Sequence, residues 1–100
     1  MDTLTLKQIL LDELDSYTGQ GLNDYAYLTA NEAEGMYTIV DIATIREKRI
    51  VGTVLIARLV NNRVIIELDQ HDKTLADSLK AQGVPNSQIV LAYRGEPVPV

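Results

Sequence analysis

The sequence predicts an α+β protein built as a mostly antiparallel five-stranded sheet, in the order α-β-β-β-β-α-β, with two helices packed mainly on one face. Three observations predict it. Apolar residues recur at helical spacing near the start; four segments of strand character follow; and the chain closes on "GVPNSQIVLAYRG", Gly83 to Gly95, a helix stop, a proline and a short apolar run. One hundred residues make a single domain, 1–100, with no room for a second.

Taken in order, Leu6, Ile9, Leu10, Leu14 and Tyr17 share one helical stripe, with Gln8, Asp12, Glu13 and Asp15 turned away. Thr5 and Gln8 have the spacing of a capping box, so a helix is expected from there to about Tyr17. Gly19 and Gly21 read as a linker. "DYAYLTA", Asp24 to Ala30, alternates Tyr25, Tyr27 and Thr29 with Ala26, Leu28 and Ala30, the period of a strand. "NEAEG", Asn31 to Gly35, is a polar hairpin loop into the β-branched run Met36 to Ile45. Arg46 to Arg49 turns the chain into Ile50 to Val60, and Asn61-Asn62 suits a tight turn at positive φ before the strand Arg63 to Asp69. A second helix is expected over Lys73 to Gln82, with Asp72 as cap, Leu75 and Leu79 inward and Gly83 at the left-handed stop. Pro85 forbids its continuation, so Ile89 to Tyr93 reads as the last strand.

The central strand is apolar on both sides. Val51, Leu55 and Leu59 fall on one face and Ile50, Val54, Ile56 and Val60 on the other, and two short helices can roof only one of them. A homo-oligomer, most simply a dimer, is expected to bury part of the second face.

Composition narrows the function classes. The chain is 46% hydrophobic with no apolar run long enough to span a membrane, which excludes a disordered or membrane-spanning chain. It has no Cys, so neither disulfides nor thiolate zinc sites, and its start lacks the basic and small-residue pattern of a secretory signal, which makes the cytoplasm the expected location. The net charge of −5 is unevenly spread. Residues 1–45 carry eight acids against Lys7 alone, whereas residues 46–100 carry eight bases and six acids. Fields of opposite sign orient a partner or a second copy more than they add affinity.

Candidate chemistry is sparse. "DQHD", Asp69 to Asp72, holds the only His, but one imidazole beside carboxylates lacks converging ligands from distant segments, and a strand end with a helix cap accounts for it better. Glu67 and Asp69 point the same way along a regular strand, yet nothing shifts one carboxyl against the other as paired acid and base catalysis requires. "GQGLND" follows a helix rather than a strand and lacks the third Gly of a nucleotide loop. No catalytic residue, metal or cofactor is therefore expected. Arg46, Lys48 and Arg49 form a basic hairpin tip, but three cations offer about three phosphate contacts against the roughly 6–10 of strong salt-dependent binders, so direct nucleic-acid binding is not expected. Tyr25 and Tyr27 serve either as interface anchors or as core. Together Tyr25, Tyr27, Arg46, Lys48 and Arg49 are the candidate partner interface.

The stretch from Glu47 to Arg94 resembles the XisI-like family, the fdxN element excision controlling factors found mainly in cyanobacteria. Three blocks carry the resemblance: "RIVG" from Arg49 to Gly52, "RVIIELDQHDKTLADSL" from Arg63 to Leu79, and "GVPNSQIVLAY" from Gly83 to Tyr93. The opening helix "LKQILLDELDSY" agrees more loosely. Members carry Trp in the central strand region, whereas this chain has none, and their tail is longer than "GEPVPV". The resemblance implies a small α+β regulatory protein rather than an enzyme, a controlling factor for excision of a DNA element. The recombinase chemistry then belongs to another protein, and the partner is a companion excision-control protein resembling nucleases or the recombination machinery itself. The alternative is a small-molecule-binding module, or an antitoxin-like one that neutralises a nuclease-like partner.

Overall fold

A computed structural model describes residues 1–99. Helix α1 (Thr3–Asp15) leads into β1 (Gly19–Gln20), β2 (Asp24–Asn31), β3 (Met36–Ile45), β4 (Lys48–Val60) and β5 (Arg63–Asp69). Helix α2 (Leu75–Ala81) then carries the chain to β6 (Ile89–Leu91). The strands lie in sequence order across one six-stranded sheet, antiparallel throughout except for β5 and β6, which run parallel because the α2 crossover returns β6 in the direction of β5.

The α+β class and the roofing of one face hold; the strand count does not. The extra strand is the Gly19–Gln20 segment expected as a linker, which pairs with Ala26 and Tyr25. Two residues leave no alternation to read, and Gly is uncommon in strands. Both helix caps also lie elsewhere than expected. The carboxylate of Asp2 accepts from Thr5 N at 2.8 Å and from the Thr5 hydroxyl at 3.1 Å, so α1 starts at Thr3 and Thr5 lies within it. Thr74, not Asp72, caps α2, accepting from Asp77 N at 3.3 Å. At the far end Gly83 (φ 92°) reverses the chain, its N–H bonded to Lys80 O and that of Val84 to Leu79 O, the paired bonds of a Schellman stop. The last strand is three residues rather than five, because Ala92–Arg94 winds into a 3-10 turn ended by Gly95 (φ 86°).

Both long hairpins turn on two residues at positive φ, Arg46-Glu47 (51° and 66°) and Asn61-Asn62 (49° and 60°), the primed geometry whose twist matches the flanking strands. Between β2 and β3 the chain makes a 3-10 turn, Glu32–Glu34, closed by Gly35 at φ 61°. A Cβ on Gly35 would lie 2.7 Å from the Leu59 carbonyl oxygen, so only glycine fits there.

Two bulges decide the faces. Ile39 pairs with Leu55 but Val40 with Thr53, leaving Val54 as an extra residue; Ile56 pairs with Leu68 but Ala57 with Ile66, leaving Glu67 extra. Each insertion reverses the alternation beyond it. Val51 and Leu55 are therefore on opposite faces, not the same one, and Glu67 and Asp69 do not point together. The roofed face presents Tyr37, Ile39, Leu55, Ala57, Val64 and Ile66, and Leu6, Leu10, Leu14, Leu75 and Leu79 of the helices close over them. Tyr37 fixes α1 laterally: its hydroxyl donates to Glu32 at 3.1 Å, and Glu32 also holds Lys7 at 2.6 Å.

The other face is covered only at one end. Ile65, paired with Arg58 and Val90, is fully buried there although it lies outside the main core. Glu96 turns the C-terminal segment back by accepting from Leu91 N at 2.8 Å, and Arg63, Val90, Pro97, Val98 and Pro99 line a small cavity beside it. At the other edge of the core, Gln88 donates from Nε2 to both Met1 O and Asn62 O at 2.9 Å, clasping the start of α1 to the β4–β5 turn and the approach to β6.

Candidate functional site

The unroofed face over β2, β3 and β4 gathers three of the five candidate interface residues. Tyr25 and Tyr27 are two apart on β2 and so share that face, paired with Ile42 and Val40 of β3. They are not core: they are 40% and 48% exposed, with ring centroids 4.7 Å apart. Arg49 pairs with Thr44, which shares the face of Ile42, and lines with the tyrosines, Gln20, Asn23, Asp24, Ile42 and Thr44 a shallow cavity of about 230 Å³. Lys48, paired with Ile45, points to the opposite face, and Arg46 sits in the turn itself. The basic tip is thus split, which lowers the number of cations any one flat surface can meet.

Beyond the tyrosines the β3–β4 hairpin runs past the end of β5 as an arm. Ile45, Ile50 and Val51 on it are 48%, 53% and 63% exposed, and the molecule measures 45 Å along its longest axis against 27 and 24 Å across. Val51 shares the face of the tyrosines, whereas Ile45 and Ile50 point to the other side with Lys48, so the arm exposes apolar side chains on both faces, more than an ordinary wet surface carries.

The groups that sequence reasoning weighed as catalytic have structural partners. Asp69 is fully buried in its side chain; Oδ1 lies 2.9 Å from His71 Nδ1 and accepts from His71 N, while Oδ2 accepts from Leu75 N at 2.7 Å. It ties the end of β5 to the first turn of α2, so the strand end expected of this segment holds, while the carboxylate that meets the helix is Asp69 and not the Asp72 expected as cap. The Tyr17 ring packs on His71 at 4.4 Å, and its hydroxyl bonds Lys73 O and Ser78 Oγ, holding α1 to α2. Burial pushes the Tyr17 phenol above its ordinary value, partly offset by the bond to Ser78. Glu67 is taken by Arg58 at 2.9 Å. Among the described residues no three His, Asp or Glu side chains gather where a metal ion could be held.

One feature had no sequence signal. Asp24 and Asp41 come together in a cavity of about 310 Å³ with Tyr17, Ala26, Val54, Gln70 and His71. The hydrogen bond shared with Asp24 raises the Asp41 carboxyl above its ordinary value, burial and the Asp24 charge add to this, and the nearby His71 opposes it. Asp41 Oδ1 is buried with no donor among the described residues. The pairing of Ala26 with Asp41, and of Asp24 with Ala43, places both acids on one face, which only the register of two strands reveals.

The fold and this surface define a class: a small α+β sheet protein that presents an open face bearing an aromatic pair and an apolar hairpin arm. The chain belongs to the XisI protein family, whose model matches residues 1–98. Two solved structures from Anabaena variabilis share the fold. The fdxN element excision controlling factor XisI superposes with a TM-score of 0.64 at 20% identity, covering 92% of this chain and 93% of that one. A XisI-like protein gives 0.63 at 19%, covering 88% and 79%. No curated protein matches the chain.

Proposed function

We propose that the protein is a non-enzymatic controlling factor for excision of a DNA element, acting in the cytoplasm by binding another protein. The observation that carries the reading is the exposed Tyr25–Tyr27 pair beside Arg49 on the open face of the sheet. Tyrosine and arginine dominate the energetics of protein interfaces, because each combines a large apolar area with a polar tip. The partner is a companion excision-control protein resembling nucleases, and the family membership supports this choice over an unrelated target. A duplex is disfavoured: the chain carries net charge −5, and Lys48 and Arg49 point to opposite faces.

The test mixes the purified chain with the nuclease-like companion and reads affinity by calorimetry, with a duplex gel shift at physiological salt alongside. Binding that weakens about tenfold or more in Tyr25→Ala/Tyr27→Ala, with no duplex shift, supports the reading. A duplex shift lost in Arg49→Ala, without companion binding, overturns it.

A further inference from the structure

The arm leaves one long strand edge open. β4 pairs with β3 along its whole length, but with β5 only from Leu55 onward, and the last bond on that side is Gln70 N to Val54 O at 2.9 Å. Lys48 to Thr53 therefore has a strand on one side only, among the described residues. In a two-residue hairpin the residues flanking the turn, here Ile45 and Lys48, bond to each other, so Lys48, Ile50 and Gly52 turn their backbone groups to β3. Arg49, Val51 and Thr53 then present theirs to the open edge. Thr44, opposite Arg49, bonds outward from β3 to Asn23 O at 2.8 Å, as this alternation requires.

Open edges are normally blunted by proline, by shortness or by a charge at the centre of the strand. This one has no such protection at its centre, where Ile50, Val51 and Gly52 are exposed. We propose that a second copy of the chain occupies it, adding β4 to β4 antiparallel about a two-fold axis at Val51.

Register and charge select this occupant. With Val51 opposite Val51 of the second copy, Arg49 meets Thr53 and Lys48 meets Val54, so no like charges face each other; a register centred on Arg49 would oppose two guanidiniums. All three outward residues of each strand find backbone partners. One face gains a continuous row from Tyr25 through Ile42 and Val51 to its mirror image, since Tyr25 pairs with Ile42 and Ile42 with Val51. On the other face Ile50 lies opposite Gly52, where a Cβ would have nothing within 4 Å, so the isoleucine has space to pack. Lys48 of each copy also arrives beside Val54 of the other, a wall of the cavity holding Asp24 and Asp41; the buried Oδ1 of Asp41 has no donor among the described residues. The acidic first half of one chain thus meets the basic hairpin of the other.

The inference stands apart from the companion-binding reading, and its test uses this chain alone. Because the chain has no Cys, Val51→Cys introduces a single thiol. In the proposed register the two Val51 Cα atoms lie about 5.5 Å apart, within disulfide reach. Mild oxidation is expected to give a disulfide-linked dimer from Val51→Cys and none from Thr29→Cys on the β2 edge. Light scattering of the unmodified protein should give twice the 11.1 kDa chain mass, and Val51→Lys should weaken dimerisation about tenfold or more with an unchanged circular dichroism spectrum. Since Val51 is already exposed, loss of the spectrum is not expected; Thr53→Lys, also exposed, repeats the test. A monomer at micromolar concentration, a dimer indifferent to both lysines, or a crosslink through Thr29→Cys instead would overturn the proposal.

Discussion

The end of the sheet under the helices and the arm at its other end are made of the same residue types put to different use. Ile39 of β3 and Leu55 of β4 are fully buried in the core under the helices, while Ile50 and Val51, only a few residues from Leu55 along β4, are more than half exposed. The bulge at Val54 separates the two regimes: it shifts the phase of β4 where the helices stop covering it. An apolar side chain on the roofed side contributes to folding. One on the arm contributes little to the monomer's stability and is available for contact with another chain.

The largest expected effect lies on the roofed side. Leu10→Ala removes a fully buried leucine between the helices and sheet and should cost about 2–5 kcal/mol in urea unfolding. Gly35→Ala is expected next, at about 1–3 kcal/mol, because φ is 61° and the added Cβ meets the Leu59 carbonyl; a cost below that of an exposed Gly→Ala would break the account of this turn.

Asp41→Asn works in the opposite direction and sharpens the boundary between the regions. The Asp41 carboxyl is raised in the folded state, so its protonated form contributes stability in full below the ordinary 3.8, and that contribution is lost as pH rises through the raised folded value. Above it, the ionised pair with Asp24 opposes folding. Asn carries no charge and can donate to Asp24, so the variant should be more stable than the parent at neutral pH by about 1 kcal/mol, or ~4–8 °C in Tm, and the gain should vanish on acidification below 3.8. A gain independent of pH would show that the carboxylate pair is not its source. Smallest is Tyr27→Ala, expected to change unfolding free energy by about 0.5 kcal/mol or less, since the ring is nearly half exposed. A loss comparable to that of Leu10→Ala would place the open face of β2 in the core after all.

These contrasts also explain what could be read from the sequence. Met36–Ile45 and Arg63–Asp69 coincide with their expected limits because turn residues stand at both ends of each run. The Asn61-Asn62 turn and the Gly83 stop were legible for the same reason: a positive φ leaves few residue choices. The helix starts were not, because Asp2 and Thr5, or Asp72 and Thr74, are equally good caps by type, and the choice depends on where the preceding chain delivers the backbone. Bulges leave the composition of a strand untouched, so the phase changes at Val54 and Glu67 had no signal, and they decide which residues meet. For the site, Tyr25, Tyr27 and Arg49 were found by residue type and come together; Lys48 is separated from Arg49 by strand alternation; and the Asp24–Asp41 pair, formed between two strands, could not be seen in either one.

The Gln88 clasp has a kinetic corollary. Its amide reaches back to Met1 and to Asn62, so the bonds close loops of 87 and 26 residues in separation, and the longer cannot form until the segment carrying Gln88 has been made. Loop closure grows only slowly in entropic cost with length, but contacts so distant in sequence are late events on a folding route. A chain emerging residue by residue can assemble the β2–β3–β4 meander early, yet must leave the first turn of α1 unfastened until the segment before β6 arrives. Gln88→Ala should therefore speed unfolding more than it slows folding, as expected of a fastening that closes after the rate-limiting step.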